Sequence, residues 1–319
     1  MARPKPEEVR RVAVIGTGTI GASWAAYFLS RGLEVRATDP APDAAGRMNQ
    51  FIDKAWPTLE RLGLGAMADR SKISFHATPE EAVEGAEFVQ ENALETKEVK
   101  IPLLARIDKA SPADTVVASS TSGLMMSVIS RSCRRPQRFV VGHPFNPPHL
   151  IPLVEVVGGT KTAPETVDWS IAFYNAIGKR AIRINREMPG HLANRLQAAI
   201  WREAVYLVAE GVASVADIDA AIAHGPGLRW AIMGPHLTFH LGGGEGGMTN
   251  FLEHLGPAVE SWWDTLGSPR LTEELRPKLI AGVADEVQGR SVAELAAERD
   301  AALIAILEAL AKTRRRKRK

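Results

Sequence analysis

A histidine and a glutamate twelve residues apart, His143 and Glu155, are the pair in this chain best suited to move a proton. Glu155 lies in the apolar run 152–157, where an ionised carboxylate is costly unless it is paired. An imidazole is its natural partner. The carboxylate would hold the ring's orientation and raise its basicity. A ring held this way can take the proton of an alcohol as hydride leaves the adjacent carbon. Ser122, within the hydroxyl-rich stretch 119–123, and Asn194 can hydrogen-bond the same oxygen as it becomes a carbonyl. Taken singly, each member of the pair has a plainer reading: His143 as a satisfied core histidine, Glu155 as an edge-strand residue facing solvent.

Hydride chemistry needs an acceptor, and residues 12–21 carry a motif for one. Four apolar residues run into Gly16-Thr17-Gly18-Thr19-Ile20-Gly21, and a helix-length apolar stretch follows. Gly16 allows the turn, Gly18 lets a pyrophosphate approach the backbone, and Gly21 lets the helix pack on the strand. The first helical residues, Thr19 and Ile20, offer free N–H groups and a positive dipole end to phosphates. A second apolar strand ends in Asp39, 18 residues beyond Gly21, where the ribose-binding acid of such a unit belongs. Its carboxylate would accept from both ribose hydroxyls and repel a 2′-phosphate, which favours NAD over NADP. The alternative is a glycine-rich loop with a surface aspartate.

These residues need elements to hold them. Alternating strands and helices through residue 187 argue for an α/β fold: a Rossmann-type doubly wound sheet with His143 at the end of the strand 139–142. A helix is expected over 95–107, with Pro102 marking a kink or a later start. From Pro189 helical patterns dominate, interrupted at 225–227 and 242–244, so residues 188–311 are expected to form an all-α substrate and dimerisation domain. Residues 312–319, basic apart from Thr313, read as a disordered tail.

The whole chain narrows the classes of function. At 319 residues it suits two domains, and its net charge of +2 gives no field for nucleic acid. The charged N-terminus lacks a signal core, and no apolar run spans a membrane. The single cysteine, Cys133, rules out an intrachain disulfide and fits a cytoplasmic protein. Arginines at 131, 134 and 135 could lower its pKa, but no matching base and nucleophile pattern surrounds it, so it reads as incidental. His236 and His240 share a helical spacing, yet no zincin glutamate accompanies them, so no metal is expected.

Together the segments 12–21, 119–124, 142–147, 153–157 and 190–196 resemble the L-3-hydroxyacyl-CoA dehydrogenase family over nearly the whole chain. The resemblance implies a site of Ser122, His143, Glu155 and Asn194, NAD contacts from Asp39, Glu95, Lys100 and Asn146, and a homodimer formed through the C-terminal domain. The acyl-CoA enzymes usually carry G-P-x-x-L-x-D in their second half. Here Gly225 to His236, with Gly243 to Met248, is more similar to the branch acting on small free 3-hydroxy acids such as carnitine and gulonate. That implies oxidation of L-carnitine to 3-dehydrocarnitine. L-Gulonate, a short 3-hydroxyacyl-CoA, or a non-catalytic NAD-binding structural role are the alternatives. Arg229 could pair with a substrate carboxylate. Trp230, Phe145, Trp262, Trp263 and Phe239 are candidate faces for a quaternary ammonium.

Overall fold

Alternation within β1 (Arg11–Ile15) sets the layers. Val12 and Val14 enter one hydrophobic cluster, and Ala13 and Ile15 enter another on the opposite face. A computed structural model describes residues 3–316. Strands β2 (Glu34–Thr38), β3 (Ile73–Phe75), β4 (Phe88–Glu91), β5 (Val116–Ser119), β6 (Phe139–Pro144), β7 (Leu153–Gly158) and β8 (Arg180–Arg183) complete an 8-stranded sheet of order β3-β2-β1-β4-β5-β6-β7-β8. All neighbours are parallel except β6 and β7. The chain reverses through the 145–152 loop, and β7 returns antiparallel to β6 with His143 directly opposite Glu155.

On one face lie α1 (Thr19–Ser30), α2 (Ala44–Leu62) and α6 (Pro164–Ala176). Aromatics of these helices and of β4 pack closely, with Phe88 and Phe173 ring centroids 4.3 Å apart and Trp24 stacked on Phe28 at 5.0 Å. On the other face lie α3 (Pro79–Val83), α4 (Lys97–Ala110) and α5 (Met126–Ile129). The start of α4 is two residues later than the sequence suggested, and Pro102 is accommodated inside it.

The chain divides into two units, Met1–Asn194 and Arg195–Lys319. The first therefore extends seven residues past the expected boundary at 187. Side-chain and backbone hydrogen bonds from His191, Leu192, Ala193 and Asn194 tie that segment to strands and loops of the first unit.

Helix α7 (Ala193–Ala209) begins at the end of the first unit. The second unit continues with α8 (Val215–His224), α9 (Pro226–Trp230), α10 (Pro235–Gly242), α11 (Gly247–His254), α12 (Gly256–Trp263), α13 (Leu275–Val287) and α14 (Val292–Arg316). No strand occurs among its described residues. Glycines near 243 read as interruptions in sequence, but they permit a tight helix pair. A Cβ on Gly243 would lie 1.8 Å from the Gly247 carbonyl oxygen, and Phe239 stacks on Phe251 at 4.7 Å. Helix α14 continues to Arg316, five residues past the expected boundary at 311; the rest of the expected tail, 317–319, lies outside the described residues.

Gly142 precedes His143 and shows how tightly the sheet is built around it. A Cβ there would sit 2.1 Å from the Tyr174 hydroxyl. That hydroxyl donates to Gln90 Oε1 at 2.6 Å, and Gln90 Nε2 donates to Ser120 Oγ at 2.8 Å and to the Gly142 carbonyl at 3.2 Å. Gly142→Ala should lower the unfolding free energy by about 1–3 kcal/mol, the cost of overpacking a filled core. Urea denaturation measures this, and unchanged stability would show that Tyr174 can move aside.

Candidate active site

The β6–β7 register puts two chemically matched side chains face to face. His143 Nδ1 lies 2.8 Å from Glu155 Oε2, with His143 5% and Glu155 0% exposed. Glu155 is therefore neither an edge residue nor solvated, since β7 has neighbours on both sides. Burial pushes its carboxyl up, but hydrogen bonds from His143 and from the Ala193 and Leu192 N–H groups outweigh that and hold it below the ordinary range. A carboxylate can only accept, so Nδ1 of His143 carries the hydrogen. In the neutral ring the lone pair then falls on Nε2, the atom available to take a proton.

Glu155 also organises the chain beyond β8. Its Oε1 accepts the N–H groups of Leu192 and Ala193 at 3.0 and 2.8 Å. Asn194 Nδ2 donates to the Ser122 carbonyl at 3.1 Å. The four residues expected at the site are thus linked through the first unit. Ser122 is exposed in the loop three residues past β5, and its hydroxyl and N–H donate to Glu95 Oε1 at 3.2 and 2.8 Å. The same oxygen accepts from the Thr121 hydroxyl at 2.6 Å and the Gly123 N–H at 3.1 Å. Burial raises the Glu95 pKa, yet these donors and the Lys100 ammonium bring it below the usual value.

Sequence reasoning missed His191. It sits in the segment read only for Asn194, it is 3% exposed, and its ring centroid lies 5.2 Å from that of His143. It also missed Glu91, a carboxylate buried at the end of β4. Lys100 Nζ donates to both Glu91 oxygens at 2.8 and 3.0 Å and to the Ala93 carbonyl at 3.0 Å. Glu95 Oε2 is a further 3.6 Å partner. Lys100, expected at the cofactor, is 1% exposed, and its ammonium fixes the 91–95 loop that carries Glu95.

The glycine loop has the geometry a dinucleotide requires. Gly16 has φ +87°, and a Cβ on it would lie 2.8 Å from the Asn92 backbone. A Cβ on Gly21 would strike the Gly16 carbonyl at 1.8 Å, whereas one on Gly18 would meet nothing within 4 Å. Gly18 is the N-cap of α1 with no side-chain cap, so Thr19 and Ile20 begin the helix. The first-turn N–H groups there are the kind that phosphates use. Thr17 Oγ1 is buried with no hydrogen-bond partner in the structure. Asp39 Oδ2 accepts the Thr17 N–H at 2.7 Å and Oδ1 the Ala41 N–H at 2.8 Å, which leaves lone pairs for ribose hydroxyls. These residues fit NAD.

Other expected residues fall as follows. Phe145 is half-buried with its ring centroid 5.1 Å from His143, and Asn146 is exposed ahead of the cis Asn146–Pro147 bond. Arg229 and Trp230 are exposed on α9 of the second unit, and Trp262 and Trp263 are exposed on α12. His240 Nδ1 accepts the Met248 N–H at 3.1 Å, and no cluster of three potential metal-ligating residues occurs among the described residues. Cys133, read as incidental, is not acidified by the neighbouring arginines. Burial pushes its thiol up to about 12, with the Asp108 charge adding to the rise and Arg138 opposing it.

Comparison with known proteins places this geometry. Residues 11–188 match the family model for the NAD binding domain of 3-hydroxyacyl-CoA dehydrogenase, and residues 190–274 match that for its C-terminal domain. L-Carnitine dehydrogenase of Streptomyces griseus subsp. griseus is 56% identical over 95% of this chain and 91% of its own length. That of Bacillus cereus is 47% identical over 95% and 93%. A crystal structure of 5-formyl-3-hydroxy-2-methylpyridine 4-carboxylic acid 5-dehydrogenase, an NAD+-dependent dismutase, superposes with a TM-score of 0.81 at 29% identity, covering 95% of this chain and 98% of that one. By its sequence over both domains, the chain belongs to the 3-hydroxyacyl-CoA dehydrogenase family.

Proposed function

We propose that this NAD-dependent dehydrogenase oxidises the 3-hydroxyl of L-carnitine to 3-dehydrocarnitine. The buried His143–Glu155 pair, 2.8 Å apart, carries the chemical reading. The substrate reading is supported by the near full-length similarity to L-carnitine dehydrogenases.

His143 Nε2 takes the proton of the substrate hydroxyl, and Glu155 stabilises the imidazolium that results. Because the Glu155 carboxyl is held below its ordinary range, the proton remains on the imidazole rather than passing to the carboxylate. The Ser122 hydroxyl and the Asn194 amide hold the reacting oxygen. NAD, when bound, accepts the hydride. Gly16, Gly18, Thr19, Ile20 and Gly21 receive its pyrophosphate, Asp39 its ribose, and Asn146 and Glu95 border it. The Phe145 face suits a trimethylammonium group, which has no N–H to donate. Arg229 and Trp230 are proposed for substrate recognition on their chemistry alone.

We further propose a cytoplasmic homodimer joined through the second unit. That unit, taken as a single chain, exposes the large apolar side chains Trp262 (62%), Trp263 (63%), Leu241 (60%) and Ile280 (69%), which a second copy could cover. Sedimentation should give the mass of two chains at micromolar concentration, and a monomer would contradict the assembly.

The central test is His143→Gln. It should lower kcat for L-carnitine by about 10²–10⁴-fold, the usual worth of a general base, with NADH affinity unchanged. Near-normal turnover would remove the proposed base. In a panel of L-carnitine, L-gulonate and short 3-hydroxyacyl-CoA esters with NAD, carnitine should have the highest kcat/KM. A preference for either rival reassigns the substrate and leaves the proton chemistry in place.

A further inference from the structure

His191 touches three parts of the site at once. Its backbone has φ +51°, a left-handed conformation that non-glycine residues adopt infrequently, and it follows Gly190 at φ +75°. The turn brings the next two N–H groups, Leu192 and Ala193, onto Glu155 Oε1. The imidazole is 3% exposed and packs against His143 at a 48° tilt, with ring centroids 5.2 Å apart. Its Nε2 lies 2.9 Å from the carbonyl oxygen of Thr121, the residue before Ser122. A carbonyl can only accept, so Nε2 carries the hydrogen and Nδ1 holds the lone pair. Nδ1 is buried with no hydrogen-bond partner in the structure.

We propose that His191 is a positioning residue of the dehydrogenase site: as a neutral Nε2–H imidazole, it ties the Thr121–Ser122 segment to the ring of His143. The inference rests on the reading of His143 as the base. It explains why a histidine occupies the position. An apolar ring of similar size would fill the space but leave the Thr121 carbonyl without its donor. A charged ring would place a cation beside His143, the group that must itself become positive in turnover. Burial favours the uncharged form, and the neighbouring His143 acts the same way, against the Thr121 carbonyl and the carboxylates Glu155 and Glu95.

Two replacements separate the hydrogen bond from the packing. His191→Phe keeps an aromatic ring and removes the donor. His191→Gln keeps an amide N–H near the Nε2 position. In L-carnitine oxidation, His191→Phe should lose about tenfold to a hundredfold in kcat, as a small misplacement at a site can cost. Its KM should stay within about threefold, and NADH affinity by fluorescence titration within about twofold. His191→Gln should recover kcat to within about threefold of the parent. Nitrogen-15 NMR of the parent near pH 7 should show His191 singly protonated on Nε2.

Turnover by His191→Phe within about twofold of the parent, with His143→Gln inactive, would overturn the inference and leave the base intact. Equal losses in the Phe and Gln variants would overturn it as well, since ring packing alone would then account for the residue. A doubly protonated His191 would do the same. Should the Phe variant fail to fold, the Gln variant decides: near-parental kcat supports the inference and a tenfold loss, on the order of one hydrogen bond, ends it. Retained turnover in His143→Gln would instead remove the reading on which the inference rests.

Discussion

A carboxylate with no exposure to solvent, in the middle of a sheet, has to be satisfied or it destabilises everything around it. Glu155 is satisfied by one imidazole N–H and two backbone N–H groups, and each of these imposes a condition on the fold. The imidazole requires β6 and β7 to pair antiparallel in one register, because a slip of one residue would turn Glu155 to the other face. The backbone donors require the chain after β8 to return as a left-handed turn at residue 191. The same three bonds that make the charge tolerable also orient the histidine, so the arrangement that permits the fold is the one that prepares the chemistry.

The two halves of the proposed reaction sit on different features of one sheet. The glycine loop leaves β1, which is flanked by β2 on one side and β4 on the other, the point where strand order reverses and open sheets take their ligands. The base sits within β6, two strands from β4, where β7 begins to run antiparallel. Between them the 91–95 and 119–123 loops are joined by Glu95, which collects donors from Thr121, Ser122 and Gly123. Beneath that, the buried Glu91–Lys100 pair anchors the loop that holds Glu95. Ser122 is therefore placed by a chain of polar contacts, while His143 is placed by sheet register.

Much of this was legible in the residues because the physics is local. Gly16, Gly18 and Gly21 are read from spacing, and each meets its own steric condition. A lone glutamate in an apolar run signals a buried partner whatever the fold. What was not legible depends on distant parts of the chain. Strand direction leaves no mark in composition, so the antiparallel return of β7 could not be read from alternating strands and helices. His191 carries no periodic signal, and its turn is recognised only from the groups it serves. The sign of the Cys133 shift has a related origin: neighbouring arginines offered a way to lower its pKa, but burial dominates and Asp108, 25 residues away, adds to the rise. In the second unit, glycines that looked like breaks are contact points between short helices.

The claim underlying the rest is that Glu155 fixes the tautomer of His143. Nitrogen-15 NMR of selectively labelled protein reads that directly, without substrate or cofactor. The account predicts that neutral His143 carries its proton on Nδ1, with Nε2 bare, and that Glu155→Gln shifts the Nδ1 resonance. A proton on Nε2 in the parent, or a His143 spectrum indifferent to the change at 155, would contradict it.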